Sequence, residues 1–243
     1  MDIIAFRLHG RHSVALPGGS VVFVRGGTAA WRTRSSGVLL DANHALLFPG
    51  GSEPAALTAG DAPVSLTLFH DASIDLGGSP SVRIAGSADF TEHFFLTLSA
   101  RDAAARDRFE RLVCRLRNAA REKPETRSAH SPSYGRLMQQ HVNAALGRPF
   151  RLDEIASAVA LSPYTASRVF HREAGLPLRI YNRRLRLRTA LARIADRHAL
   201  SQVALELGFF DHAHFTKAFR AEFGMTPSEW RATAYKTLFG TAA

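Results

Sequence analysis

Short apolar runs separated by turn residues fill the first 85 positions. IIAFRL, SVVFV, VLLD, HALLF and VSLTLF each have strand length, and PGG at 17–19, GG at 26–27, PGG at 49–51 and GGSP at 77–80 break them. Strands of that length and spacing predict a small antiparallel sheet, sandwich or barrel. Near residue 88 the period changes. Phe94, Phe95 and Leu98, then Phe109, Leu112, Val113 and Leu116, recur at helical spacing and predict helices over 88–99 and 102–121. Two partners suit these stripes equally, the sheet of the same chain or a second subunit.

Residues 122–132, EKPETRSAHSP, have no apolar period and hold two prolines, which predicts a linker. Beyond it, Tyr134, Leu137, Met138, His141, Val142 and Leu146 mark a helix ending at Gly147, a residue suited to a C-terminal cap. Ile180, Leu187, Leu191 and Ile194 form a stripe on a long, Arg-studded helix over about 177–196.

On either side of that helix the pattern repeats. EIASAVALSPYTASRVFHREAGLPLRIY at 154–181 aligns with VALELGFFDHAHFTKAFRAEFGMTPSEWR at 203–231. Phe170 pairs with Phe219, Arg168 with Lys217, Glu173 with Glu222, Gly175 with Gly224 and Tyr181 with Trp230, each 49 apart. Upstream of the turn the offset is 48, matching Ile155 and Ala156 to Val203 and Ala204, so the second turn is one residue longer. Two short helices joined by a tight turn are a helix-turn-helix, and this stretch contains two. Ser162 and Asp211 are placed as N-caps, Pro163 at a first helical position, and Gly175 and Gly224 as stops. Ala166, Val169 and Phe170 face inward in the first unit, with Phe215, Ala218 and Phe219 in the second. Gly208 allows the positive φ of a tight turn. Ala160 stands near that place in the first unit and predicts a less relaxed or differently shaped turn there.

Charge sharpens this picture. The formal net charge is +10, yet residues 1–100 carry six Arg against eight acidic residues, while residues 133–243 carry sixteen Lys and Arg against eight. A basic half joined to a near-neutral half is the footprint of a polyanion binder. An Arg-rich genome explains Arg over Lys but not the asymmetry. On the predicted second helices, the positions left facing outward are Pro163, Tyr164, Thr165, Ser167, Arg168 and His171 in one unit. The other unit presents His212, Ala213, His214, Thr216, Lys217 and Arg220. Arg168 is the leading candidate for a bidentate contact to guanine, with a phosphate clamp close behind, and Lys217 is its counterpart. Arg172, Arg179 and Arg183 are candidates for phosphate contact or plain exposure.

Other chemistries find little support. Cys114 is the only cysteine, so no internal disulfide or cysteine zinc site is expected. His44, His70 and His93 are scattered, and Asp211, His212 and His214 sit where DNA contact or capping explains them better than a metal. No nucleophile elbow, P-loop or dinucleotide fingerprint is present, so no enzyme and no cofactor is expected. No apolar run of about 18 residues occurs and the opening MDIIAFRLHG is not a signal peptide, which predicts a cytoplasmic protein without a membrane partner.

LDEIA at 152–156, LSP and SRVFHREAG within 161–175, RLRTA at 186–190 and ALELGFFDHAHFTKAFRAEFGMTPSEWR at 204–231 resemble the DNA-binding domain of AraC-family bacterial transcription regulators. The resemblance covers residues 133–236 and is weaker in the first unit, where Ala160 fills the turn and Leu178 stands opposite Pro227. It implies two helix-turn-helix units bridged by one long helix, with recognition helices over about 162–173 and 211–222 entering successive major grooves. It also implies a small cupin-like β domain over residues 1–121 that senses an effector or mediates dimerisation. The fold class expected is therefore α+β in two domains. Candidate partners are double-stranded DNA, RNA polymerase, a small-molecule effector and a second copy of the chain. Two alternatives stay open: a nucleoid-type protein binding DNA without sequence preference, and a regulator controlled by a protein partner.

Overall fold

The computed structural model describes residues 1–9, 12–32, 37–52, 56–59, 63–98, 104–118, 134–195 and 198–239; the predicted linker at 122–132 lies outside them. Among the described residues nine strands come first: β1 (Asp2–Leu8), β2 (Ser13–Ala15), β3 (Ser20–Gly26), β4 (Ala29–Arg32), β5 (Gly37–Leu40), β6 (His44–Phe48), β7 (Ala56–Ala59), β8 (Val64–His70) and β9 (Ser81–Ile84). They form two antiparallel sheets, ordered β1-β8-β3-β6-β9 and β2-β7-β4-β5. All five apolar runs of the sequence are strands. The short strands β2, β4, β7 and β9 lack comparable runs, and pairing across the sheets supplies what propensity does not.

Side chains alternate across a strand, and here both faces of the central strands are covered. On β3, Val22 and Val24 pack toward the second sheet with Leu46, Phe48, Leu57, Leu66 and Leu68. Val21 and Phe23 point the other way, into a core shared with the helices. Burial on both sides explains why SVVFV shows no polar alternation.

Nine helices follow among the described residues: α1 (Ser87–Leu98), α2 (Ala105–Asn118), α3 (Tyr134–Ala144), α4 (Leu152–Ala158), α5 (Pro163–Ala174), α6 (Leu178–Ala195), α7 (Leu200–Glu206), α8 (His212–Phe223) and α9 (Pro227–Phe239). The stripes of α1 and α2 are consumed within the chain. Phe109 stacks on Phe69 with centroids 5.3 Å apart, and Phe94 lies 5.0 Å from the Trp230 ring of α9. One apolar cluster therefore runs from the first sheet through α1 and α2 into α3–α9.

Several expectations are corrected. Helix α3 stops at Ala144, and Gly147 is not among the glycines with positive φ. Its missing Cβ serves close approach instead, because a Cβ there would sit 2.6 Å from the Glu206 carbonyl oxygen. Tyr134 and His141 lie exposed, and Met138 and Val142 carry the buried stripe. On the Arg-studded helix α6, Arg186 and Arg188 are buried together with Leu185, Leu187, Ala190 and Leu191. No helix of the described residues is long and apolar enough to cross a membrane.

His93 occupies the centre of the shared core. Its imidazole stacks on Phe23 at 4.2 Å and lies edge-on to Phe90 and Phe69. Burial, reinforced by the Arg25 and Arg188 charges, holds it well below the ordinary value of 6.5. In the unfolded chain the ring takes a proton near that value, whereas in the folded chain it does not, so acid favours unfolding. Stability should therefore fall as the pH drops from 7.5 to 5.5, through the ordinary imidazole range. Denaturant unfolding at the two pH values tests this: His93→Phe should flatten the decline, and an unchanged decline would place it elsewhere.

Candidate nucleic-acid interface

Helices α4 and α5 make one helix-turn-helix unit and α7 and α8 another. Their turns are built alike. Leu161 N–H donates to the Ala156 carbonyl, and Phe209 N–H donates to that of Ala204, both at 3.0 Å. Ala160 has φ 53° and Gly208 has φ 71°, so the first turn takes the same left-handed shape in spite of its side chain. Of the two outcomes expected at Ala160, the turn is less relaxed and not differently shaped. A left-handed alanine costs roughly 1 kcal/mol relative to glycine. Ala160→Gly should raise stability by about that amount in thermal unfolding, and no gain would mean the first turn relaxes in solution. The opposite change, Gly208→Ala, meets more than strain. A Cβ at Gly208 would lie 3.0 Å from the Gly147 carbonyl oxygen. Arg186 fixes this junction, donating to the Gly208 carbonyl at 2.9 Å and also to the Arg148 carbonyl.

The extra residue of the second turn is Phe210. Up to Phe209 the hydrogen bonds of the two units match at an offset of 48, and the caps Ser162 and Asp211 match at 49. Phe210 is 86% exposed, beside the entry to α8. The change of offset in the sequence carried this signal, yet the candidate set omits the residue.

Caps define the starts and ends of α5 and α8. Ser162 Oγ accepts the Thr165 N–H at 3.2 Å, and Asp211 Oδ1 accepts the His214 N–H at 2.6 Å. Gly175 and Gly224 end the helices with φ of 68° and 75°. Each N-cap satisfies a donor that water would otherwise have to reach and is worth about 1 kcal/mol. Thr226 and Glu229 form a reciprocal capping box at the start of α9, with Thr226 N–H donating to Glu229 and Glu229 N–H to Thr226 Oγ1.

Inward positions are filled by Ala166, Phe170 and Ala174 in α5, where Val169 is only half-buried. In α8 they are Phe215 and Phe219, with Ala218 half-buried. What remains outside is polar. Pro163, Tyr164, Thr165, Arg168 and His171 are exposed on α5 and Ser167 is half-buried. His212, Ala213, His214, Lys217 and Arg220 are exposed on α8, with Thr216 half-buried. Some of these groups already have work within the protein. Thr165 Oγ1 sits 2.8 Å from Ser162 Oγ, and the His214 ring lies edge-on to Phe209. The Arg168 guanidinium lies 5.6 Å from the centre of the Tyr164 ring, one turn away. No carboxylate of the described residues forms an ion pair with Arg168 or Lys217. These two cations are therefore free to meet a polyanion without first breaking a pair. No group of three or more His, Cys, Asp or Glu that could hold a metal occurs among the described residues.

The two helix-turn-helix units are linked by one connecting helix, α6. Residues 155–233 match the family model described as a helix-turn-helix domain. XylDLEGF operon transcriptional activator 1 of Pseudomonas putida is 30% identical over 106 residues, 42% of this chain and 32% of that protein. HTH-type transcriptional activator RhaR of Escherichia coli K12 is 33% identical over 89 residues, 36% of this chain and 32% of that protein. The match thus spans about a third of the length of these relatives. Among solved structures, an AraC-type regulator from Chromobacterium violaceum is similar over 42% of this chain and 91% of its own, at 27% identity and a TM-score of 0.39. ToxT from Vibrio cholerae is similar over 99% of this chain and 98% of its own, at 13% identity and a TM-score of 0.43. Through residues 155–233 the chain is similar to a helix-turn-helix domain, the part it shares with these transcriptional activators.

Proposed function

We propose that the chain regulates transcription by sequence-specific binding to double-stranded DNA, with α5 and α8 entering successive major grooves about 10 bp apart. The observation that carries this reading is the division of labour on the two helices. Caps and aromatic side chains are spent on folding, and an outward polar set remains at repeat-equivalent turns. Tyr164, Ser167, Arg168 and His171 correspond to Ala213, Thr216, Lys217 and Arg220, and His212 adds a donor at the start of α8. Side chains near the N-terminal half of such a helix read base edges, and longer cations anchor phosphates. Phe210 extends the second face with an apolar group suited to a deoxyribose or a thymine methyl. Phe210→Ala should weaken binding several-fold with unchanged thermal stability, and unaltered binding would remove it from the interface.

Residues 1–121 form the regulatory half of this reading, 122–132 the linker and 133–236 the DNA-binding domain. A small-molecule effector, RNA polymerase and a second copy of the chain are the partners proposed. The test is selection from random duplex DNA, followed by affinity for selected and scrambled duplexes at fixed salt. The selected duplex should bind at least about 10³-fold more tightly. Equal affinity for both, with a steep salt dependence, would mean non-specific binding.

A further inference from the structure

The amino-terminal half and the two helix-turn-helix units are joined at three places, two on α6 and one where α8 and α9 meet α1. At the first unit, the buried Asp41 carboxylate accepts the Tyr181 hydroxyl and, at 2.9 Å, the Asn143 side chain of α3. Asn43 donates to the Tyr181 carbonyl at 3.3 Å. Midway along α6, Arg188, which is wholly buried, donates to the Ala42 carbonyl at 3.1 Å and the Ala85 carbonyl at 2.7 Å. At the second unit, Trp230 lies against Phe94 and Phe95 of α1 at 5.0 and 4.8 Å, and Glu222 of α8 accepts the Ser87 hydroxyl where α1 begins.

Tyr181 and Trp230 are the same position of the repeat. Each touches the amino-terminal half on one side and the buried Phe of its own reader on the other. Tyr181 meets Phe170 edge-on at 5.0 Å, and Trp230 meets Phe219 at 6.3 Å. Isolated helix-turn-helix stability would not require either residue to find partners in another domain. Buried side chains that each have one set of partners hold their elements at one angle, because close-packed interiors resist continuous deformation.

We infer that the amino-terminal half is a splint that sets the angle between α5 and α8, with Tyr181, Arg188 and Trp230 as its positioning residues, and so selects the spacing between the two DNA blocks. This rests on the DNA reading proposed above. Through the same contacts, anything that shifts the 41–45 or 85–87 segments changes which spacing is accepted.

The test uses the full chain and the two-block duplex obtained by selection, rebuilt with spacers shortened or lengthened by one or two base pairs, together with a one-block duplex. One added base pair rotates the second block by about a tenth of a turn, and the wild type should lose at least about tenfold in affinity. Tyr181→Phe combined with Ser87→Ala removes one side-chain hydrogen bond at each end while keeping every ring, and Arg188→Met releases the middle. The splint predicts a flattened spacing profile for these variants with one-block affinity unchanged. A wild-type profile in the cooperatively folded double variant would overturn the inference, as would an equal loss on every duplex. If Arg188→Met does not fold, the double variant decides alone. If selection yields no two-block site, the DNA reading falls first and the splint with it.

Discussion

Trp230→Ala should cost about 3–5 kcal/mol, enough to remove much of the stability of a typical domain. The indole is wholly buried and is shared by Phe94, Phe95, Phe219 and Phe223, so truncation opens a cavity where α1, α8 and α9 meet. Trp230→Phe should cost far less, because a ring remains and an indole N–H without a partner among the described residues is lost. Denaturant unfolding of the two variants separates these outcomes. A small loss in Trp230→Ala would mean that α9 frays from the core in solution and that the second unit does not depend on α1.

Arg168→Ala has the second largest expected effect, and it falls on binding. The loss should be roughly 1–3 kcal/mol, or about ten- to a hundredfold in affinity, with relaxed preference at one base position. The guanidinium is exposed and carries no carboxylate partner among the described residues, so unfolding should be nearly unaffected. Affinities on duplexes varied one position at a time separate base reading from phosphate anchoring. A uniform loss on all sequences, with one fewer counterion in the salt slope, would make Arg168 a phosphate anchor. Lys217→Ala offers the matching comparison in α8.

The two units were legible because their signals are local. Ser162 with Pro163, Asp211, and the glycines at 175 and 224 act within one helical turn, and inward aromatics recur at a fixed offset. The TPSE capping box at 226–229, which the sequence reading does not single out, is an equally local device and carries the start of α9. Two features were not legible. Arg186 and Arg188 belong to a run, RLRLRTA, whose charges ordinarily signal a solvated face. Only tertiary contact turns them inward, where Arg188 finds carbonyls more than a hundred residues earlier in the chain. Burial lowers its guanidinium to about 10, still well above neutral pH, so the charge persists in the core. Ala160 was legible in part: of the two outcomes its side chain predicts, a less relaxed turn or a different shape, the turn takes the first, with a left-handed alanine. The short strands β2, β4, β7 and β9 were missed for the same reason as the arginines, since their pairing is non-local.

Hydroxyl-radical footprinting of the wild-type chain on its selected duplex tests most directly whether α5 and α8 read two blocks on one DNA face. Two protected segments about 10 bp apart on the same face are predicted, with Arg168→Ala weakening one and Lys217→Ala the other. A single protected segment, or even protection along the whole duplex unaffected by either change, would contradict it.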